Sequence, residues 1–77
     1  MLHRSIKAYV TKGDTHFVAQ CIEINVVTQG QTLDETVQNL QEAVALYLDG
    51  EDLAELHLAD KPSLLITLEI EPASYAA

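Results

Sequence analysis

Between Arg4 and Thr11 apolar and polar positions alternate, with Ile6, Ala8 and Val10 on one side and Ser5, Lys7 and Tyr9 on the other. Period two with β-branched and aromatic residues predicts a strand. Lys12-Gly13-Asp14 predicts the turn after it, because glycine tolerates positive φ and an aspartate bonds nearby backbone. A second strand is expected from His16 to about Glu23, paired with the first as a hairpin. Both of its faces are apolar: Phe17, Ala19 and Cys21 lie on one, Val18 and Ile22 with Gln20 on the other. Such a strand is central in its sheet, or carries a helix on one face and a partner on the other. Asn25 breaks the run, Val26 to Gln29 gives a short third strand, and Gly30 ends it as a turn residue.

The period then lengthens. Thr32-Leu33-Asp34-Glu35 has the form of a capping box, in which the Thr32 hydroxyl accepts from the Glu35 amide and the Glu35 side chain reaches back. Asp34 and Glu35 also suit the positive end of a helix dipole. Leu33, Val37, Leu40, Val44, Tyr47 and Leu48 fall within roughly 100° of arc and predict the buried stripe of a helix. Gln38, Asn39, Gln41, Glu42 and Asp49 lie outside it, where Leu46 alone is apolar and hints at a contact. Gly50 is placed to close the helix. Glu51 to Leu58 adds a further helical turn or two, and Asp60-Lys61-Pro62 resets the chain. From Ser63 to Glu71 alternation returns, with Leu64, Ile66, Leu68 and Ile70 inward and Thr67, Glu69 and Glu71 outward. Pro72 ends this strand, and Ala73 to Ala77 reads as a frayed tail.

The expected class is α+β, one domain over residues 1–77 with the order βββαβ. A three-strand meander leaves the third strand parallel to the first, and the helix returns the chain for a parallel fourth strand. That strand lies beside the first or beside the third. The former gives the order 3-2-1-4 with the helix on one face, which a right-handed crossover permits. This layout resembles the front half of a ribonuclease H-like fold.

Charge narrows the function. Four basic residues face twelve acidic ones, a formal charge of −8. Neutralising phosphate needs clustered Lys and Arg, whereas Arg4, Lys7, Lys12 and Lys61 are scattered, so direct nucleic-acid binding is not expected. An acidic surface keeps a protein soluble and steers it toward basic partners. The single cysteine, Cys21, forms no intramolecular disulfide and fits a reducing compartment. With no signal-peptide core and no run of transmembrane length, a cytoplasmic location is expected.

Candidate chemistry is sparse. Nucleases of the ribonuclease H-like type hold two metals on carboxylates, one of them in the first strand. Here the first strand has no Asp or Glu, and Glu69 and Glu71 on the last strand read as a solvated face. His3, His16 and His57 lack the short pairings of metal ligands. His16 and Cys21, five residues apart along a strand, face opposite ways, and Cys21 reads as a small buried residue. The helix start after Thr28-Gln29-Gly30-Gln31-Thr32 has one glycine and no lysine, a weak anion site. No enzyme activity, metal or cofactor is expected.

Three segments together point to a family. Phe17-Val18-Ala19, then Thr28-Gln29-Gly30-Gln31-Thr32-Leu33-Asp34-Glu35-Thr36, then Asn39-Leu40-Gln41-Glu42-Ala43 resemble the HicB-like antitoxins of prokaryotic toxin–antitoxin pairs. The recurrent pattern there is a strand, a Gly-x-Thr-x-x-Glu-Ala turn and helix start, then Asn-x-x-Glu-Ala. The resemblance spans nearly the whole chain. It implies a partial ribonuclease H-like domain without nuclease activity, a homo-oligomer (dimer or tetramer), and a HicA-like toxin as partner. HicA-type toxins are basic proteins that cut messenger RNA with a histidine, and the antitoxin covers that active site. Gly30, Thr32, Glu35 and Ala43 would then be structural: Gly30 makes the turn, Thr32 and Glu35 cap the helix, and Ala43 lets it approach the sheet.

Two departures stand out. Where the family often has Pro-x-Leu-Pro-Gly after the second strand, this chain reads Cys21-Ile22-Glu23-Ile24-Asn25-Val26. Many members also append a ribbon-helix-helix or helix-turn-helix domain, for which these 77 residues leave no room, so no operator binding by the chain itself is expected. The candidate toxin contact is Asp49, Glu51, Asp52 and Glu55, acidic residues with no Lys or Arg beside them at the end of the long helix. The alternative is an oligomeric scaffold or regulatory binding module of the same fold with no toxin.

Overall fold

A computed structural model describes residues 2–73 and shows an α+β domain. Its elements are β1 (His3–Lys12), β2 (Phe17–Cys21), β3 (Val27–Gly30), α1 (Leu33–Leu48) and β4 (Leu58–Glu69). The four strands form one mixed sheet in the order β3-β2-β1-β4, as the connection rules allow. β1 runs antiparallel to β2 and parallel to β4, and β2 runs antiparallel to β3. The expected tail beyond Ala73 lies outside the described residues.

The register explains the core. Ala8 pairs with Cys21 and Val10 with Ala19, so the inward set of the first strand meets the expected set of the second. On the other side Ile6, Ala8 and Val10 pair with Leu64, Ile66 and Leu68. Ile6, Ala8, Val10, Ala19 and Cys21 are buried under α1 together with Leu40, Val44 and Leu58. Each fully buried side chain of the size of Ile6 or Leu40 contributes about 1.5–3 kcal/mol relative to an exposed one. The helix lies on β3 and β2, and the far end of β4 extends beyond its cover. Leu68 and Ile70, expected inward, are therefore exposed although they share the helix side of the sheet.

Three details differ from the pattern reading. The buried stripe of α1 centres on Thr36, Leu40 and Val44, with Leu33, Ala43 and Leu48 packed beside them. Tyr47 is exposed and Val37 only partly covered. The helix is rotated because Gly30 lies directly under Thr36 and draws that side inward. The second strand stops at Cys21 instead of Glu23. The Val26 amide there donates to the Ile24 carbonyl at 3.0 Å, a tight reversal that turns Ile22 outward and buries Ile24 and Val26. The last strand begins at Leu58 and carries an irregularity opposite His3–Ser5, where Lys61 takes φ 52 before Pro62.

Candidate functional site

The two ends of α1 are built differently. At its start the Glu35 amide donates to Thr32 Oγ1 at 3.1 Å, and the Gln31 amide donates to Glu35 Oε1 at 3.1 Å. The reach-back of Glu35 thus lands one residue before the cap. The Thr36 amide and Thr36 Oγ1 both donate to the Thr32 carbonyl, at 3.0 and 2.8 Å. The amides of Gln31, Glu35 and Thr36 thus have partners within the turn itself. Asn39 Nδ2 donates to the Gln29 carbonyl at 2.8 Å and ties the helix to β3, a link the sequence pattern did not reveal.

Gly30 is the last residue of β3, not a turn of unusual backbone. A Cβ placed on it would meet Thr36 N and Oγ1 at 2.7 Å each. Its role is close approach of helix and sheet. Ala43 is half-buried and packs beside the core.

At the other end the chain makes two consecutive reversals. Asp49 has φ −62 and ψ 121, Gly50 has φ 77, and the Glu51 amide donates to the Leu48 carbonyl at 3.0 Å. Those values define a type II turn, which requires positive φ at its third residue. Asp52 then starts a single turn through its Oδ1, which accepts from the Ala54 amide at 3.1 Å. That turn closes with the Leu58 amide on the Leu53 carbonyl at 2.8 Å and the His57 amide on the Ala54 carbonyl at 3.0 Å. With His57 at φ 60, this is a Schellman ending, and Leu53 and Leu58 make the apolar contact that accompanies it.

Asp49, Glu51, Asp52 and Glu55 are therefore held on two ordered turns, and all four are exposed. Only Asp52 uses its side chain in a hydrogen bond found within the described residues. The last turn of α1 has no basic residue. Carboxylates next to the negative end of a helix dipole are disfavoured by a few tenths of a kcal/mol to about 1 kcal/mol each. The fold gains no local stability from the charge of Asp49 or Glu51.

The remaining polar groups lie elsewhere. The His3 amide donates to the His57 carbonyl at 2.8 Å, and His16 Nδ1 lies 2.9 Å from Thr15 Oγ1. Burial, reinforced by Glu23, pushes the Cys21 thiol above its usual range, which suits a packed group more than a nucleophile. Glu69 and Glu71 line an open cleft of about 680 Å³ with Lys12 and Asp14. Among the described residues no group of three or more His, Cys, Asp or Glu side chains is arranged to hold a metal ion. No helix there is long and apolar enough to cross a membrane. The face of the sheet opposite α1 carries Tyr9, Val27 and Leu65, all more than half exposed, among Lys7, Gln20, Gln29 and Thr67. Compared with protein-family models, curated proteins and solved structures, the chain gives no match.

Proposed function

We propose that this chain is a HicB-like antitoxin, a cytoplasmic, non-catalytic protein that binds a small basic HicA-type toxin and covers its active site. The sheet and helix would be the partial ribonuclease H-like domain of that family. The observation that carries this reading is the exposed run Asp49, Glu51, Asp52 and Glu55, fixed on two turns at the negative end of α1 without a compensating cation in the helix's last turn. The charges of Asp49 and Glu51, from which the fold gains no stability, fit a functional surface. A toxin that holds RNA presents cations around its active site, and carboxylates there take the place of phosphates. The sheet order β3-β2-β1-β4 supports the reading as well, since it is the layout the resemblance implies.

The charge of −8 steers association with such a toxin and opposes approach to DNA or RNA. The complex should therefore form more slowly as salt rises, because exposed charges are screened beyond roughly 8–10 Å near physiological ionic strength. The test is co-expression with a HicA-type toxin and measurement of association rate against salt. Glu51→Lys with Glu55→Lys should slow association and weaken protection of cells. Asp52 is left intact because it caps a turn. Undiminished protection by the double variant would move the contact away from this segment.

The second reading, an oligomeric scaffold or regulatory module without a toxin, is favoured by the exposed Tyr9, Val27 and Leu65 on the open face. A short reading frame beside this gene, encoding a basic protein with a Gly-rich turn and a histidine, separates the two. Its presence supports the antitoxin, its absence the scaffold.

A further inference from the structure

β3 and β4 form the two edges of the sheet. Exposed edges invite pairing with another chain, and proteins blunt them with short strands, bulges, lysine or proline. β3 has only four residues. β4 has twelve, and its irregularity, Lys61 and Pro62 all stand in its first half. From Ser63 to Glu69 it pairs regularly with β1 and contains no Lys, Pro or Gly. Among the described residues no strand lies on its other side. Along this stretch Leu64, Ile66 and Leu68 share the helix side of the sheet, but α1 lies over β3 and β2, and Leu68 stays 38% exposed. The stretch leads into the open cleft lined by Asp14, Glu69 and Glu71 with Lys12. The one ion pair among the described residues joins Lys7 to Glu23, so Lys12 balances none of these three carboxylates by contact.

We propose that the edge from Ser63 to Glu69 docks an extended segment of a different protein, which joins the sheet as a further strand antiparallel to β4. Backbone amides and carbonyls supply the affinity of such an addition, and alternate side chains supply its specificity. On the helix side the segment sets an apolar side chain beside each of Leu64, Ile66 and Leu68 and fills the strip that α1 leaves open. At its amino-terminal end, beside Glu69, a lysine or arginine lies against the three carboxylates of the cleft. A second copy does not offer this pattern. Of its two edge strands, β3 has no cation, and β4 has only Lys61, in the irregular part at φ 52. The fitting partner is therefore a segment of another chain with a basic amino-terminal end and alternating apolar positions. This contact lies at the opposite end of β4 from the run Asp49 to Glu55. It is separate from the toxin contact and does not rest on it.

The probe is a fluorescein-labelled peptide, Lys-Val-Thr-Val-Thr-Val-Thr, titrated with the full chain and read by fluorescence anisotropy without any toxin. The peptide should bind. In an antiparallel pair the backbone amides of a strand point alternately toward the partner and away from it. Methylating the backbone nitrogens of the valines, or instead those of the threonines, should therefore abolish binding in one peptide and leave it intact in the other. Glu69→Lys should weaken binding about fivefold, and a peptide with glutamate in place of its lysine should reverse that preference. Glu69 is exposed, and circular dichroism checks that the variant is folded. Sedimentation shows whether a second copy takes the edge instead. No binding, the same effect from both methylated peptides, indifference to Glu69→Lys, or a dimer that excludes the peptide overturns the proposal.

Discussion

Glu23 accepts two hydrogen bonds from Lys7, one from the backbone amide to Oε1 and one from Nζ to Oε2, both at 2.7 Å. The carboxylate does the work of a missing strand residue. β2 stops at Cys21, the Ile22 amide still donates to the Lys7 carbonyl at 2.8 Å, and the chain then leaves the sheet. Glu23 fills the place beside β1 that the backbone has vacated. Its side chain is only 11% exposed, against 44% for Lys7.

Burial alone would raise the Glu23 carboxyl, but hydrogen bonds from the Lys7 side chain and backbone outweigh it and hold the group below its usual range. A depressed folded value means stability present above the ordinary glutamate range and lost as pH falls through the folded value. Glu23→Ala should cost about 1–3 kcal/mol at neutral pH, because an amide is left without its acceptor. Glu23→Gln should cost less, since its carbonyl still accepts from that amide. Urea unfolding near neutrality and near about pH 3 should show the gap between wild type and Glu23→Gln shrinking in acid. A gap of constant size would show that the ion pair has no part in it.

Gly30→Ala should destabilise by about 1–3 kcal/mol through overpacking. Thr36→Ala in the same chain should rescue little of this. It removes Oγ1, but the Thr36 amide nitrogen stands at the same 2.7 Å from the added Cβ and belongs to the helix backbone. Full rescue in the double variant would mean that only the hydroxyl was in the way.

Gly50 poses the opposite problem. A Cβ there would meet nothing within 4 Å, yet φ is 77. Gly50→Ala should therefore cost about 1 kcal/mol from backbone strain alone, and Gly50→Asn less, since asparagine tolerates that region. Equal denaturant midpoints for glycine and alanine would argue against the type II turn.

Thr32→Ala should lower stability by about 1 kcal/mol through loss of the cap on the Glu35 amide. Thr32→Ser should keep most of it. A loss as large in the serine variant would assign the effect to the methyl group.

Glu51→Lys and Glu55→Lys, chosen above to weaken a basic partner's association, should leave the melting temperature unchanged or slightly higher. Glu51 lies just past the carbonyl end of α1, where a positive charge is favoured. Binding and stability would then move in opposite directions in one variant. A sharp drop in melting temperature would contradict the exposed placement.

The strands and helix were legible because each carries one clear period. Ile6, Ala8 and Val10 pair with the residues that alternation placed inward on both neighbours. The helix cap was legible because Thr32 and Glu35 stand at a spacing with one common outcome. Burial of Thr36 was not, since a threonine inside a helix is polar by type and here packs closely against a glycine of the sheet beneath it. The Lys7–Glu23 link was hidden for a similar reason: it joins residues 16 apart, and nothing local marks it. Of the candidate contact residues, chemistry could be read from the chain but not the division of labour between Asp52, which caps a turn, and its neighbours.

The parallel pairing of β1 with β4 has a consequence for how the chain is made. The hydroxyls of Ser5 and Ser63 meet at 3.2 Å although 58 residues separate them. During synthesis the hairpin of β1 and β2 leaves the ribosome early, and β4 leaves last. Until then β1, the best-protected strand of the finished sheet, is an open edge with its backbone bare on one side. Contacts of such separation close slowly, and nascent edges are where chains meet the wrong neighbour. A nascent chain arrested before Leu58 should therefore expose β1 to self-association or to a chaperone.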